Sequence, residues 1–189
     1  MANSHAARGA VFLDRDGTIA EEVGYANHVS RFQMYPFAAG AIRRLNEAAI
    51  PVIVVTNQSG VSRGYFPEVL VEQIHKKMIY ELAASGAHVD GIYYCPHQRA
   101  DACQCRKPLP GMLERAATDH HLELSRSVVV GDRYSDVALA KAVGARSLFV
   151  LTGYGRGDHE WNRQKWEHQP DRVVENLSEA IELILKELH

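Results

Sequence analysis

The sequence is poor in cysteine and tryptophan, carries no excess of either charge and contains no long apolar run. Three cysteines in 189 residues, an odd number, exclude a disulfide framework. With 21 Lys+Arg against 23 Asp+Glu, the formal net charge is −2. That excludes the broad cationic surface of a nucleic-acid or membrane-surface binder. No apolar run approaches the roughly 18–20 residues of a membrane span, and Met1–Gly9 lacks the apolar core of a signal peptide. These absences predict a cytoplasmic protein with neither nucleic-acid nor membrane partners. The lack of a long exposed apolar segment leans towards a monomer. The length, with 46% hydrophobic residues, predicts a single domain over 1–189 with a sizeable core.

What is present is an alternation of short apolar runs with amphipathic stretches. The runs are Ala10–Leu13, Pro51–Val55, Gly91–Tyr94, Ser127–Val130 and Ser147–Leu151. They are continuous rather than alternating, which predicts strands buried on both faces of a parallel sheet. Helical spacing covers Ala39–Ala49, Pro67–Ser85, Leu113–His121, Asp136–Val143 and a C-terminal stripe of Leu177, Ile181, Ile184 and Leu188. This order predicts a doubly wound α/β fold with a mainly parallel sheet and helices on both faces. Gly153–Pro170 is polar and predicts a loop with at most one short helix, anchored to the core by Trp161 and Trp166.

Polar residues follow three of the runs. Leu13 leads into Asp14-Arg15-Asp16-Gly17-Thr18, Val55 into Thr56-Asn57-Gln58-Ser59-Gly60, and Val130 into Gly131-Asp132-Arg133-Tyr134-Ser135-Asp136. Any one of these is also an ordinary turn. Together, at the carboxyl ends of parallel strands, they should meet in one crevice. Asp14 and Asp16 are two apart, so in extended backbone both point to one side. With Asp132 and Asp136 they make a hard-oxygen set suited to Mg²⁺. Thr56 and Asn57 add neutral donors, and Lys107 or Arg106 a positive charge. The inventory suits phosphoryl transfer, in which a carboxylate attacks, a carboxylic acid protonates the leaving oxygen, and cations neutralise the phosphoryl oxygens.

Cys95-x-His97-x₅-Cys103-x-Cys105 places three thiols and an imidazole within eleven residues. Four such ligands suit a closed, structural Zn²⁺ site. The alternative is three buried cysteines and a surface histidine, but the intervening Gln98, Arg99, Asp101 and Gln104 offer nothing apolar to bury them. The remaining histidines (5, 28, 75, 88, 120, 121, 159, 168 and 189) have no partner at ligand spacing and read as surface residues.

Asp14 to Thr18, Thr56, Lys107 and the pair Asp132 and Asp136 resemble the four motifs of the haloacid dehalogenase superfamily of phosphohydrolases. The resemblance implies that superfamily's Rossmann-like fold, without the large cap domain that many members carry, since no interval has room for one. It implies Asp14 as nucleophile, Asp16 as general acid and base, and Thr56 and Lys107 as phosphoryl-stabilising groups. Mg²⁺ would be held by Asp14, the backbone carbonyl of Asp16 and Asp132, with Asp136 supporting them from behind. Many members have a second acid where Arg133 stands here, which makes Arg133 a substrate contact.

The stretch Thr56 to Gly64 with Cys95-Pro96-His97 and Cys103-Gln104-Cys105-Arg106-Lys107-Pro108 resembles, more narrowly, the D,D-heptose 1,7-bisphosphate phosphatases. These remove the C7 phosphate on the way to the ADP- or GDP-heptose used in lipopolysaccharide or surface-layer glycans. By that resemblance Glu22, Val23, Gly24, Tyr25, Asn57, Gln58, Ser59, Arg63, Arg106 and Arg133 would contact a sugar bisphosphate, the arginines serving the second phosphate. The histidinol-phosphate phosphatases share the zinc loop (95–105) and stay open as an alternative. So does a non-catalytic zinc-loop binding module.

Overall fold

A computed structural model describes residues 8–187 of the chain; Met1–Ala7, Leu188 and His189, and with them His5, lie outside the described residues. Six strands form one sheet, β1 (Val11–Leu13), β2 (Val52–Asn57), β3 (Gly91–Cys95), β4 (Val128–Gly131), β5 (Arg146–Val150) and β6 (Arg172–Val174). Their order is β3-β2-β1-β4-β5-β6, with every neighbouring pair parallel. Helices follow the strands in turn: α1 (Ala38–Glu47), α2 (Glu68–Ala84), α3 (Gly111–His120), α4 (Tyr134–Ala142), α5 (Gly155–Asn162) and α6 (Leu177–Lys186).

Side-chain alternation along the central strands divides the interior in two. Val11, Leu13, Val52, Val54, Val128 and Val130 face α1, α2 and α6. Phe12, Ile53, Val55 and Val129 face α3 and α4. Both faces of β1, β2 and β4 are thereby covered, as their continuous apolar runs demand. Full burial of each such side chain is worth roughly 1.5–3 kcal/mol. The five sequence-predicted helices all form, with ends displaced by one or two residues.

Two strands depart from the expectation. β3 is an edge strand and only half-buried over Gly91–Tyr94, because β2 is its only neighbour in the sheet. β6 was not legible as a strand, since two of its three residues, Arg172 and Val173, are exposed and only Val174 reaches the core. The polar stretch after β5 contains α5 and a 3-10 turn over Arg163–Lys165. Of its two tryptophans only Trp166 is an anchor, stacking on Tyr134 and packing on Phe149. Trp161 is 74% exposed and anchors nothing.

The chain leaves β1 towards one side of the sheet and β4 lies on the other, so the crevice opens at the carboxyl ends of β1, β2 and β4. Between β1 and α1 there is only a loop with one 3-10 turn (Val29–Arg31), and between β3 and α3 only the cysteine loop with a 3-10 turn (Arg99–Asp101). Among the described residues no cap domain covers the crevice.

Candidate active site

β1 delivers Asp14 at its carboxyl end, where the Asp14 N–H donates to Val130 O at 2.9 Å and continues the ladder to β4. The chain then turns sharply, with the N–H groups of Ile19 and Ala20 both donating to Arg15 O. Gly17 makes this turn possible in two ways. Its φ is +79°, and a Cβ there would collide with the Asp132 carboxylate. Gly153 approaches the same carboxylate oxygen and Gly17 itself, so neither position has room for a Cβ beside Asp132.

Lys107 organises the acidic side chains. Its Nζ lies 2.8 Å from Asp14 Oδ2 and 2.6 Å from Asp136 Oδ1, and donates to Val55 O at 3.1 Å. Burial works against its charge, but Asp136 and Asp14 outweigh that and hold the ammonium above the ordinary lysine range. Asp136 also accepts from Arg133 N at 3.1 Å, capping the start of α4. Burial pushes the Asp14 carboxyl up to about 7 against the pull of Lys107.

Asp132 is fully buried. One of its oxygens accepts from Tyr154 N at 2.8 Å, and the other has no hydrogen-bond donor. Burial, Asp14 and Asp136 together push its pKa up to about 9. Ligand oxygens of Asp14, Asp132 and Asp136 lie within 4.8 Å of one another. An orphaned oxygen inside a compact all-oxygen set fits Mg²⁺, whose charge would remove the cost of ionising these groups.

Asp14 and Asp16 line one cavity of about 500 Å³, as alternate positions predict, but their side chains have separate partners. Asp16 accepts from Arg15 Nε at 3.1 Å and Nη2 at 2.8 Å, and from Gln58 Nε2 at 2.8 Å. Its carboxylate is not in the acidic cluster. Gln58 Nε2 also donates to Thr56 Oγ1 at 3.0 Å.

The cysteine loop starts at the end of β3. Sγ of Cys95 lies 3.1 Å from that of Cys105 and 3.6 Å from that of Cys103, while His97 Nδ1 is 3.6 Å from Cys95 and 3.4 Å from Cys105. Four soft ligand atoms converging on one point fit tetrahedral Zn²⁺ and leave no ligand position open. Burial pushes the Cys95 and Cys105 thiols up, whereas at Cys103 hydrogen bonds outweigh burial and bring the thiol down to about 7. The loop is tied to its neighbours by Gln58 N donating to Cys95 O at 2.7 Å and Arg106 Nη1 donating to His97 O at 3.0 Å.

Glu22, Gly24, Tyr25, Gln58, Ser59, Arg106 and Arg133 all line the cavity, as expected of substrate contacts. Three expected contacts have other surroundings. Arg63 is exposed and outside the cavity, because the turn from Ser59 to Gly64 points it outward. Val23 packs against the core instead. Asn57 reaches the cavity wall, but its amide is spent on Lys107, donating to Lys107 O at 3.3 Å and accepting from Lys107 N at 3.1 Å.

Sequence reasoning missed Arg99, Tyr154 and Asp158 on the cavity wall and His75 behind it. Arg99 comes from the cysteine loop; Tyr154 and Asp158 hold Arg133, the ring 4.3 Å from its guanidinium and the carboxylate at 3.5 Å. No spacing within the sequence links α5 to α4. A signal for His75 did exist: it shares a helical face with Val71, Met78 and Leu82 on α2.

A family model of HAD-like hydrolases matches residues 104–180. A D-glycero-D-manno-heptose-1,7-bisphosphate 7-phosphatase of Thermosynechococcus vestitus is 41% identical, covering 96% of this chain and 97% of its own. The Escherichia coli (strain K12) D-glycero-beta-D-manno-heptose-1,7-bisphosphate 7-phosphatase is 36% identical, covering 94% of each. In structure, the D,D-heptose 1,7-bisphosphate phosphatase of B. bronchiseptica, solved with magnesium and phosphate, superposes with a TM-score of 0.86 at 35% identity, over 95% of this chain and 99% of its own. On this similarity the chain belongs to the heptose-1,7-bisphosphate 7-phosphatase family of HAD-like hydrolases.

Proposed function

We propose that this protein hydrolyses the 7-phosphate of D-glycero-D-manno-heptose 1,7-bisphosphate in two steps, through a phosphorylated Asp14. The observation that carries the reading is the single ammonium of Lys107 shared between Asp14 and Asp136 on the cavity floor. Lys107 holds Asp14 Oδ2, and Oδ1 accepts the Arg15 N–H at 2.7 Å with a lone pair left for attack. In the first step Oδ1 bonds to phosphorus as the bond to the sugar oxygen breaks, and Asp16 gives the departing oxygen its proton. In the second, water attacks the aspartyl phosphate, its proton passes to Asp16, and Asp14 is released. Thr56 and Lys107 donate to the transferring phosphoryl group.

Asp14, Asp132 and the Asp16 carbonyl would hold Mg²⁺, which when bound neutralises charge developing on the phosphoryl oxygens. Cys95, His97, Cys103 and Cys105 would hold Zn²⁺, whose part is to fix the loop that carries Arg99, Arg106 and Lys107. Those two arginines, with Arg133, offer the guanidinium donors that a second phosphate needs. The partner implied is a small sugar bisphosphate. No helix among the described residues is long and apolar enough to cross a membrane, in keeping with a cytoplasmic enzyme.

Phosphate release from the heptose bisphosphate, histidinol phosphate and fructose 1,6-bisphosphate tests the reading. The heptose substrate should have the highest kcat/KM with Mg²⁺ and show no turnover after chelation. A tenfold preference for histidinol phosphate, about 1.4 kcal/mol, would overturn the sugar assignment. Absence of any phosphatase activity would favour a binding module.

A further inference from the structure

Behind the cavity lies a buried chain of polar groups that the two-step reaction does not itself use. Arg15 is only 1% exposed, an unusual degree of burial for a guanidinium. Its Nε and Nη2 both donate to Asp16, its Nη1 is 3.1 Å from His75 Nε2, and the Phe32 ring lies 5.8 Å from its centre. A guanidinium has donors only, so His75 Nε2 must be the acceptor and the ring proton must sit on Nδ1. Burial, and then the Arg15 charge, lower the His75 pKa to about 3, which keeps the ring neutral and its lone pair available. The ring is itself fixed by edge contact with Tyr94 at 5.5 Å, and the Tyr94 hydroxyl donates to Glu68 at 2.9 Å.

We propose that His75 is a positioning residue for proton transfer: it fixes Arg15, and Arg15 fixes the Asp16 carboxyl that protonates the leaving oxygen. A proton donor must lie within about 2.6–3.2 Å of the atom it serves. Asp16 stands on a turn rather than on a strand, so its aim depends on what holds its side chain. Without an acceptor at His75, one N–H of a buried guanidinium is orphaned. Arg15 would then turn to find another partner and take Asp16 with it. Gln58 would remain as a second hold on Asp16, so the effect is a misaim rather than a collapse. The proposal rests on the phosphatase reading above but not on which sugar is the substrate.

The test compares His75→Gln with His75→Asn, two amides differing by one methylene, of which only Gln reaches Arg15 where Nε2 does now. Two substrates are used with saturating Mg²⁺. Phenyl phosphate has a poor leaving group that needs the proton; p-nitrophenyl phosphate has a good one that hardly does. His75→Asn should lower kcat/KM about 30-fold on phenyl phosphate and less than about threefold on p-nitrophenyl phosphate, general acid catalysis being worth about 10²–10⁴. His75→Gln should stay within about threefold of the parent on both. In an Asp16→Asn background, His75→Asn should have no further effect, because the two act as one unit. Equal losses on the two substrates, equal losses for Asn and Gln, or additive losses with Asp16→Asn would each overturn the proposal. Absence of aryl phosphate hydrolysis by the parent protein would overturn the phosphatase reading and this proposal with it.

Discussion

The acidic cluster and the cysteine loop both gather ligand-type side chains, but the chain assembles them by different means. Asp14 stands at the end of β1, far in sequence from Asp132 at the end of β4 and Asp136 in the first turn of α4, and all three are buried. The sheet brings them together, and a protein cation, Lys107, is already among them. Cys95, His97, Cys103 and Cys105 come from one short segment that begins on the last residue of β3 and then holds only a 3-10 turn, and three of the four are half-buried. Among the described residues no Lys or Arg side chain bonds to their sulfurs. A fold can bring like charges together when burial elsewhere supplies the energy and a lysine offsets the repulsion. A loop of eleven residues has no such reserve, and the proposed Zn²⁺ would supply its order.

The largest effect that would break this contrast is at the nucleophile. Asp14→Asn should lower turnover by about 10⁴-fold or more, with the far-UV spectrum and melting temperature preserved. Retained activity would remove Asp14 from the mechanism. Next is the internal cation. Lys107→Met leaves two buried carboxylates uncompensated and should cost about 3–5 kcal/mol in urea unfolding, as breaking a buried pair does. A much smaller loss would mean that the acidic cluster does not need its lysine, and the contrast with the loop would fail.

Removing the metal from the loop, by chelation or by Cys103→Ser, should reduce activity about 10–100-fold. Hydrogen exchange should then rise over residues 95–107 while β1, β2 and β4 keep their protection. Uniform loss of protection would show that the loop's metal holds the whole fold.

pH should also act on the Mg²⁺-free protein. Unfolded aspartate ionises near 4, whereas folded Asp14 and Asp132 keep their protons to about 7 and about 9. Between those values the folded state binds more protons, so stability falls as pH rises from about 5 to 8. Melting temperatures with and without Mg²⁺ should therefore diverge with pH, the Mg²⁺ curve being the flatter.

The features legible in the sequence were those written in local runs. The buried strands declared themselves because both faces are covered, and Asp14, Thr56 and Asp132 because each lies at or just past the carboxyl end of such a strand. The cysteine loop was legible because all its ligands lie within one segment. β6 was not, since a strand with two exposed residues of three has almost no apolar signal. Side-chain direction in irregular loops was not legible either. Nothing local distinguishes Arg63, which points outward, from Arg99, which lines the cavity. Nor does anything near Arg133 announce that Tyr154 and Asp158 will hold it.

The pairing of Asn57 with Lys107 has a consequence for how this buried lysine is placed. A carboxamide offers one donor and one acceptor, as a peptide unit does, and Asn57 is the last residue of β2. Its two bonds to the Lys107 backbone act as one more rung of the ladder, made by a side chain beyond the end of the strand. The Lys107 segment is thus registered to the sheet as if it were a neighbouring strand, although it belongs to a loop. Residues between His97 and Cys103 can then change in number without displacing the ammonium, because its position is measured from β2 and not along the loop.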